Sequence, residues 1–155
     1  MEQINYGPFA FTQPQPLTLW LPLRLPGVYV VQAFDPGWTP WPMRPLYFGE
    51  SGDLSERGFP RSHHAYERWV REAGDASRLW VSAHFMRSSS AEDRRTVESR
   101  LIAQYDPACN RPTLAQLMFR RSFEVQSPLA TLARAFPPPS LRPVSLSSLA
   151  GLGWK

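Results

Sequence analysis

The distribution of proline most constrains how this chain can fold. Its 17 prolines cluster near both ends and in one internal loop, residues 35–45, and between Pro45 and Pro107 the sequence contains only Pro60. Proline lacks a backbone N–H and restricts the residue before it, so these clusters mark irregular segments and not core elements. The pattern divides the 155 residues into a proline-rich N-terminal arm (1–26), a folded core (27–112) and a partly irregular C-terminal extension (113–155).

The composition fits one globular domain that binds an acidic partner. Hydrophobic residues make up 43% of the chain, the formal net charge is +4 and the sequence pI is about 9.7. All basic residues except Lys155 are arginines. Arginine binds phosphate bidentately and stacks on bases, so this bias favours a nucleic-acid partner. Charge alone fits a solvated basic surface equally well.

The cysteine count and the length of the apolar runs indicate the compartment in which the protein is expected. Because Cys109 is the single cysteine of the sequence, an intrachain disulfide and a multi-cysteine zinc site are excluded. We interpret Cys109 as a small residue that fills space in the core. No run approaches the roughly 18 apolar residues of a membrane span. The N-terminus lacks the basic start of a secretion signal. We expect a cytoplasmic protein with no membrane partner.

Strand-like runs occur at three places in the core. Residues 27–34, 46–49 and 78–86 are rich in Val, Tyr, Phe and Trp and are bounded by turn residues. Residues 35–45 form the loop between the first two strands. In the arm, residues 17–21 alternate like a short edge strand that ends at Pro22.

Helical periodicity predicts helices over residues 54–57, from 62 or 63 to 72, from 90 to about 105, and over 113–121. Asp53 and Ser90 are typical N-caps, and Asp93 completes a capping-box pattern with Ser90. Gly74 is a natural helix stop. The resulting β-β-α-α-β-α order predicts a small α+β domain, with a three-stranded antiparallel or mixed sheet flanked by helices and with proline-rich terminal arms.

Several short motifs follow one another in the core. They are "GVY" at residues 27–29, "YFG" at residues 47–49, Arg57 eight residues after Gly49, Glu98 in "E-x-x-L-I", and a "Y-x-P-x-x-N" segment that ends at Asn110. This order resembles the GIY-YIG nuclease superfamily, which is named for two tripeptides of this kind. The resemblance runs from Gly27 to about Asn110, and each tripeptide alone is a weak signal.

The resemblance implies a metal-dependent endonuclease that hydrolyses phosphodiester bonds in DNA. It assigns Glu98 as the ligand of Mg²⁺ or Mn²⁺, Arg57 as the clamp on the phosphate, and Tyr29 as the group that activates or orients the water. A free tyrosine has a pKa near 10, so Tyr29 needs a charged neighbour or a histidine that relays the proton. Tyr47 would position the phosphate or the water.

The histidine position departs from the family pattern. Members often carry His or Tyr one helical turn after the arginine, and here that residue is Arg61, while His63 and His64 come slightly later. We expect His63 to act in catalysis and Arg57, Arg61, His64 and Asn110 to contact nucleic acid. Asn110 would also organise the end of the Glu98 helix or the edge of the sheet.

Ordinary structural roles compete with several of these assignments. Tyr29 and Tyr47 have the pattern of packed strand residues, and Glu98 has Arg94 one turn earlier as a candidate ion-pair partner. Trp38 and Trp41 either stack on unpaired bases or cover the core, and we favour the core. Two other functions stay open: a non-catalytic nucleic-acid-binding module of the same fold, and a nuclease toxin controlled by a partner protein.

Overall fold

The computed structural model describes residues 3–56, 62–114 and 116–118. The chain divides into two compact units, Met1–Pro112 and Thr113–Lys155. The first unit contains the sheet and both long helices. In the second unit, residues 114 and 116–118 are helical and Thr113 is not; the other positions of the helix predicted over 113–121 lie outside the described residues.

The first unit is built on an antiparallel sheet. Its long strands are β4 (Gly27–Phe34), β5 (Met43–Ser51) and β6 (Leu79–Phe85), with β4 in the middle. A two-residue strand, β3 (Gln15–Pro16), adds to the outer edge of β6 and makes the order β3-β6-β4-β5. The α+β class and the antiparallel sheet are confirmed. The second strand is longer than predicted, because Met43–Pro45 also pair with β4.

Two helices flank this sheet, α1 (Tyr66–Ala73) and α2 (Ala91–Tyr105). Helix α1 begins later than predicted because residues 62–65 form turns, and it ends at Gly74 with φ of 83° as expected. Helix α2 begins as predicted. The Ser90 hydroxyl accepts from the Asp93 N–H at 3.1 Å, and the Asp93 carboxylate accepts from the Ser90 N–H at 2.8 Å.

The N-terminal arm differs from the prediction. Residues 17–21 were expected to be an edge strand, but Leu17–Leu19 form a 3-10 helix directly after β3. The Trp20 N–H donates back to the Leu17 carbonyl rather than across the sheet. Pro22 then removes the next donor that a strand would need.

An unpredicted hairpin precedes β3. It consists of β1 (Ile4–Tyr6) and β2 (Phe9–Phe11). Tyr6 and Phe11 are buried, and the Tyr6 hydroxyl donates to the Gln32 side chain on β4, whose amide in turn donates to Ser82 at 2.8 Å. The arm therefore contributes both apolar and polar contacts to the core.

Strand β4 is buried on both faces and separates two clusters. One cluster joins Tyr29 and Val31 to strand β6 and to Trp69 of α1. The other joins Val28 and Val30 to Phe48, the hairpin and the buried stripe of α2. A near-continuous apolar strand is what a two-sided position in a sheet requires.

The glycines of the two tripeptides are required by close contacts. A Cβ on Gly27 would lie 2.4 Å from the His84 carbonyl oxygen, and a Cβ on Gly49 would lie 2.4 Å from the Tyr29 hydroxyl. Gly49 is the partner of Tyr29 across the β4–β5 pair. The Tyr29 ring thus lies across the bare backbone of Gly49, in space that any other residue would fill.

Replacing Gly49 with alanine should displace the Tyr29 ring. We expect Gly49→Ala to lower the free energy of unfolding by about 1–3 kcal/mol, the usual cost of overpacking a well-packed site. Urea unfolding followed by circular dichroism measures this. Gly37→Ala is the matched control, because its nearest atom is 3.4 Å away, and its effect should stay within about 0.5 kcal/mol. Equal midpoints for the two variants would contradict the contact.

The capping box of α2 gives a second prediction. Ser90→Ala should cost about 1 kcal/mol of stability in urea unfolding, because the Asp93 N–H loses its acceptor. The control is Ser99→Ala on the exposed face of the same helix. Hydrogen bonds from Ser90 lower the pKa of Asp93, so the carboxylate's part of the capping box is fully present above about pH 4 and is lost as the pH falls through the lowered pKa. The bond from the Asp93 N–H to the Ser90 hydroxyl does not depend on pH. A difference between wild type and Ser90→Ala that persists unchanged in acid would contradict this role of the Asp93 carboxylate.

Candidate active site

Tyr29 lies at the centre of the candidate site. Its side chain is 1% exposed, and its hydroxyl is 3.2 Å from Nε2 of His63. His63 precedes α1 and is half-buried. A buried phenol whose oxygen is held by an imidazole is restricted to one orientation, which is what a group that positions a water or a phosphate needs.

A backbone contact determines which nitrogen of His63 carries the proton. The Ala65 N–H donates to Nδ1 of His63 at 3.1 Å, so Nδ1 is an acceptor. In the neutral ring the proton is then on Nε2, and His63 donates to the Tyr29 oxygen. A donor at this place stabilises a phenolate on Tyr29. A proton relay would need His63 to accept instead, and a protonated Nδ1 could not keep the Ala65 contact.

The rings of Tyr47, Trp69 and His64 lie around this pair. The ring of Tyr47 meets His63 edge-on with centroids 5.3 Å apart. Trp69 of α1 stacks on one face of His63 at 4.5 Å, and His64 stacks on His63 at 4.3 Å. Tyr29 and Tyr47 are 6.1 Å apart. The structure therefore brings together Tyr29, Tyr47, His63 and His64 from the predicted set.

Strand β5 presents Tyr47 through a bulge. Val31 pairs with Tyr47 and Gln32 pairs with Pro45, so Leu46 is the extra residue, and both Leu46 and Tyr47 pack on the Tyr29 side. The Leu46 carbonyl accepts from the Cys109 N–H at 2.9 Å. The segment after α2 thus satisfies the bulge at the open edge of the sheet.

Asn110 continues this edge contact. Its amide oxygen accepts from the Phe48 N–H and its amide nitrogen donates to the Phe48 carbonyl, both at 2.8 Å. This is the role at the sheet edge that the sequence predicts for Asn110. Its contact with nucleic acid stays a prediction.

Cys109 directly precedes Asn110 in the chain and is 5% exposed. Burial raises the pKa of its thiol to about 11. The thiolate is the nucleophilic form, so a thiol this hard to ionise packs as an inert filler at neutral pH. This agrees with its interpretation from the sequence.

Glu98 lies on α2, which packs against the opposite face of the sheet from Tyr29. It is half-buried. The preceding turn of α2 carries Arg94, whose Nε donates to Glu50 of β5 at 2.9 Å and whose Nη1 donates to the Ser89 carbonyl. Arg94, proposed above as a partner of Glu98, thus forms a buried ion pair with Glu50.

The described residues limit the kind of metal site that this part of the chain can form. Among the described residues, no group of three or more His, Cys, Asp or Glu side chains is placed to bind a metal. Mg²⁺ keeps several waters and needs only one or two carboxylates besides phosphate oxygens. A single carboxylate, such as the one predicted at Glu98, is compatible with that mode, and a site closed by four protein ligands does not occur in the described part of the chain.

Some predicted site residues fall outside these observations. Arg57 and Arg61 lie in residues 57–61, which are outside the described residues. Trp69 and the Ala65 N–H were missed as site groups. The sequence marks Trp69 only as a buried helix residue, and no side-chain pattern marks a backbone N–H. Within the described ranges, no helix is both long and apolar enough to cross a membrane.

No protein-family model matches the sequence, and no curated protein matches it. Among solved structures, the chain is similar to two crystal structures of the GIY-YIG N-terminal endonuclease domain of UvrC from Thermotoga maritima. Both are tyrosine-to-phenylalanine mutants bound to a catalytic divalent cation.

The identities are 22% and 21%, the TM-score is 0.41 for each, and the similarity covers 61% of this chain and 92% of those chains. The motifs "GVY" and "YFG" lie on paired antiparallel strands of an α+β fold, which agrees with the resemblance of the motifs to the GIY-YIG superfamily.

Proposed function

We propose that this protein is a metal-dependent endonuclease that hydrolyses phosphodiester bonds in DNA. The observation that carries the proposal is the buried Tyr29 hydroxyl, held at 3.2 Å by an imidazole whose tautomer is set by the Ala65 N–H. A tyrosine that only packs in a core needs one hydrogen-bond partner for its hydroxyl, and the tautomer of that partner does not matter. The resemblance of the motifs and the excess of arginine support nucleic acid as the substrate.

Each side chain has a distinct task in this mechanism. Tyr29 acts as a phenolate that the Nε2–H of His63 stabilises; it orients the attacking water and takes its proton, which returns Tyr29 to the neutral phenol. Tyr47 positions the phosphate or the water beside Tyr29. Arg57 neutralises charge on the phosphate, as the resemblance implies.

Glu98 is the residue that would hold a divalent cation, Mg²⁺ or Mn²⁺. When bound, such a cation supplies Lewis acidity to the phosphate and stabilises the leaving oxygen. The half-buried position of Glu98 and the absence of a multi-residue cluster in the described ranges suit a cation held mainly by water and substrate. A DNA-cutting enzyme of this kind would act in the cytoplasm, where the lone thiol stays reduced.

The first test compares cleavage by Glu98→Gln with that by Glu92→Gln, an exposed glutamate on the same helix. Plasmid and single-stranded DNA are incubated with Mg²⁺ or Mn²⁺, and products are followed on gels. Glu98→Gln should lose roughly 10²–10³-fold in rate or more, because it loses the carboxylate but not the shape. Glu92→Gln should cut at the wild-type rate.

The outcomes of this test separate the candidate functions. Equal cleavage by the two variants would remove Glu98 from the site. A folded wild type that binds DNA but cuts neither DNA nor RNA would indicate the non-catalytic binding module. Cleavage that a co-expressed partner protein abolishes would favour the toxin.

The role of His63 is tested by its replacement. Gln keeps an N–H donor near the position of Nε2, whereas Ala keeps none. We expect His63→Gln to retain clearly more cleavage than His63→Ala, which should lose about 10²-fold or more. If His63 instead relays a proton, Gln cannot substitute, and both variants would be equally slow. Circular dichroism of both proteins controls for folding.

A further inference from the structure

Three rings form a continuous stack that runs from the core to the surface. Trp69 and His63 are 4.5 Å apart with an interplanar angle of 26°, and His63 and His64 are 4.3 Å apart with an angle of 29°. Trp69 is fully buried, His63 is half-buried and His64 is exposed. The stack therefore ends in an exposed imidazole ring.

The inner part of this stack is held in place before any ligand arrives. Trp69 is part of a buried cluster, and His63 is held at both nitrogens, by the Ala65 N–H at 3.1 Å and by the Tyr29 hydroxyl at 3.2 Å. Pre-ordered rings lose little conformational entropy when another ring is added, so the stack is suited to binding a flat ligand. His64 fills no core space, so packing alone does not explain why its ring continues the stack.

We propose that the exposed face of His64 is a subsite that stacks an unpaired nucleobase next to Tyr29. The inference rests on the proposed function in taking nucleic acid as the substrate, and it goes beyond it in naming the form of that substrate. Every base has a π-face, so stacking is tolerant of sequence but needs a base that is not already stacked in a duplex. The preferred substrate is then single-stranded DNA, or DNA with unpaired bases beside the scissile phosphate.

The basic character of the chain suits this ligand. A net charge of +4, carried by arginines, attracts the phosphate backbone without reading sequence. Stacking on His64 then adds affinity that depends on unpaired bases. Binding of duplex, which rests on phosphate contacts alone, should be indifferent to the His64 ring.

The test measures binding of the full-length protein to a labelled single-stranded oligonucleotide and to its duplex by fluorescence anisotropy. EDTA is present so that no metal-dependent cleavage occurs. The variants are His64→Ala, which removes the ring, and His64→Phe, which keeps a ring. Trp41→Ala is the control, because Trp41 is an exposed aromatic residue (36%) on the loop between β4 and β5.

We expect His64→Ala to weaken single-strand binding by about 5- to 150-fold, the range for one stacked base, and to leave duplex binding within about twofold. His64→Phe should bind single strands within about threefold of wild type. Trp41→Ala should bind like wild type. An oligonucleotide with one abasic position in the bound segment should lose affinity for wild type but not for His64→Ala.

Several results would overturn the proposal. They are a His64→Ala variant that binds single strands like wild type, an equal loss for single strands and duplex, or a loss in Trp41→Ala instead. Because binding is measured without metal, these results are separate from the cleavage test. A protein that cuts DNA but shows no dependence on His64 keeps the proposed function and loses this subsite. A protein with His64-dependent binding and no cleavage loses the proposed function and keeps the subsite.

Discussion

The contact on which the site depends is between the ring of Tyr29 and the bare backbone of Gly49 on the neighbouring strand. A Cβ on Gly49 would overlap the hydroxyl end of that ring, so only glycine lets the ring lie across β5 and reach His63. Gly27 has the same role toward β6, where a Cβ would overlap the His84 carbonyl. Each tripeptide thus pairs a glycine that permits close packing with a tyrosine that faces the candidate site.

His63 connects this sheet contact to helix α1. Its ring is oriented by the N–H of Ala65, the residue directly before the helix, and by the stacked ring of Trp69 one turn further along. The four N–H groups at a helix start have no partners within the helix. Here the Ala65 N–H, next to the start of α1, sets the tautomer of His63. The position of α1 therefore determines that Nε2 of His63 faces the Tyr29 hydroxyl as a donor.

The elements that the sequence predicts well are those fixed by local pattern. The β4 strand (Gly27–Phe34) and the Ser90 cap of α2 follow from side-chain periodicity and capping chemistry over a few residues. The β1–β2 hairpin and the 3-10 turn at Leu17–Leu19 depend on distant contacts, such as Tyr6 with Gln32, that no local pattern reveals. The motifs select Tyr29 and Tyr47, but the tautomer of His63 depends on a backbone N–H.

The Arg94–Glu50 pair connects helix α2, which carries Glu98, to the end of β5, although α2 and Tyr29 lie on opposite faces of the sheet. Glu50 directly follows Gly49, against which the Tyr29 ring packs, and its carboxylate holds Arg94 one turn before Glu98. The Arg94 and Glu50 side chains are 9% and 17% exposed, and Arg95 lies 3.9 Å from the other carboxylate oxygen of Glu50. The pair therefore fixes the register of α2 against the end of β5.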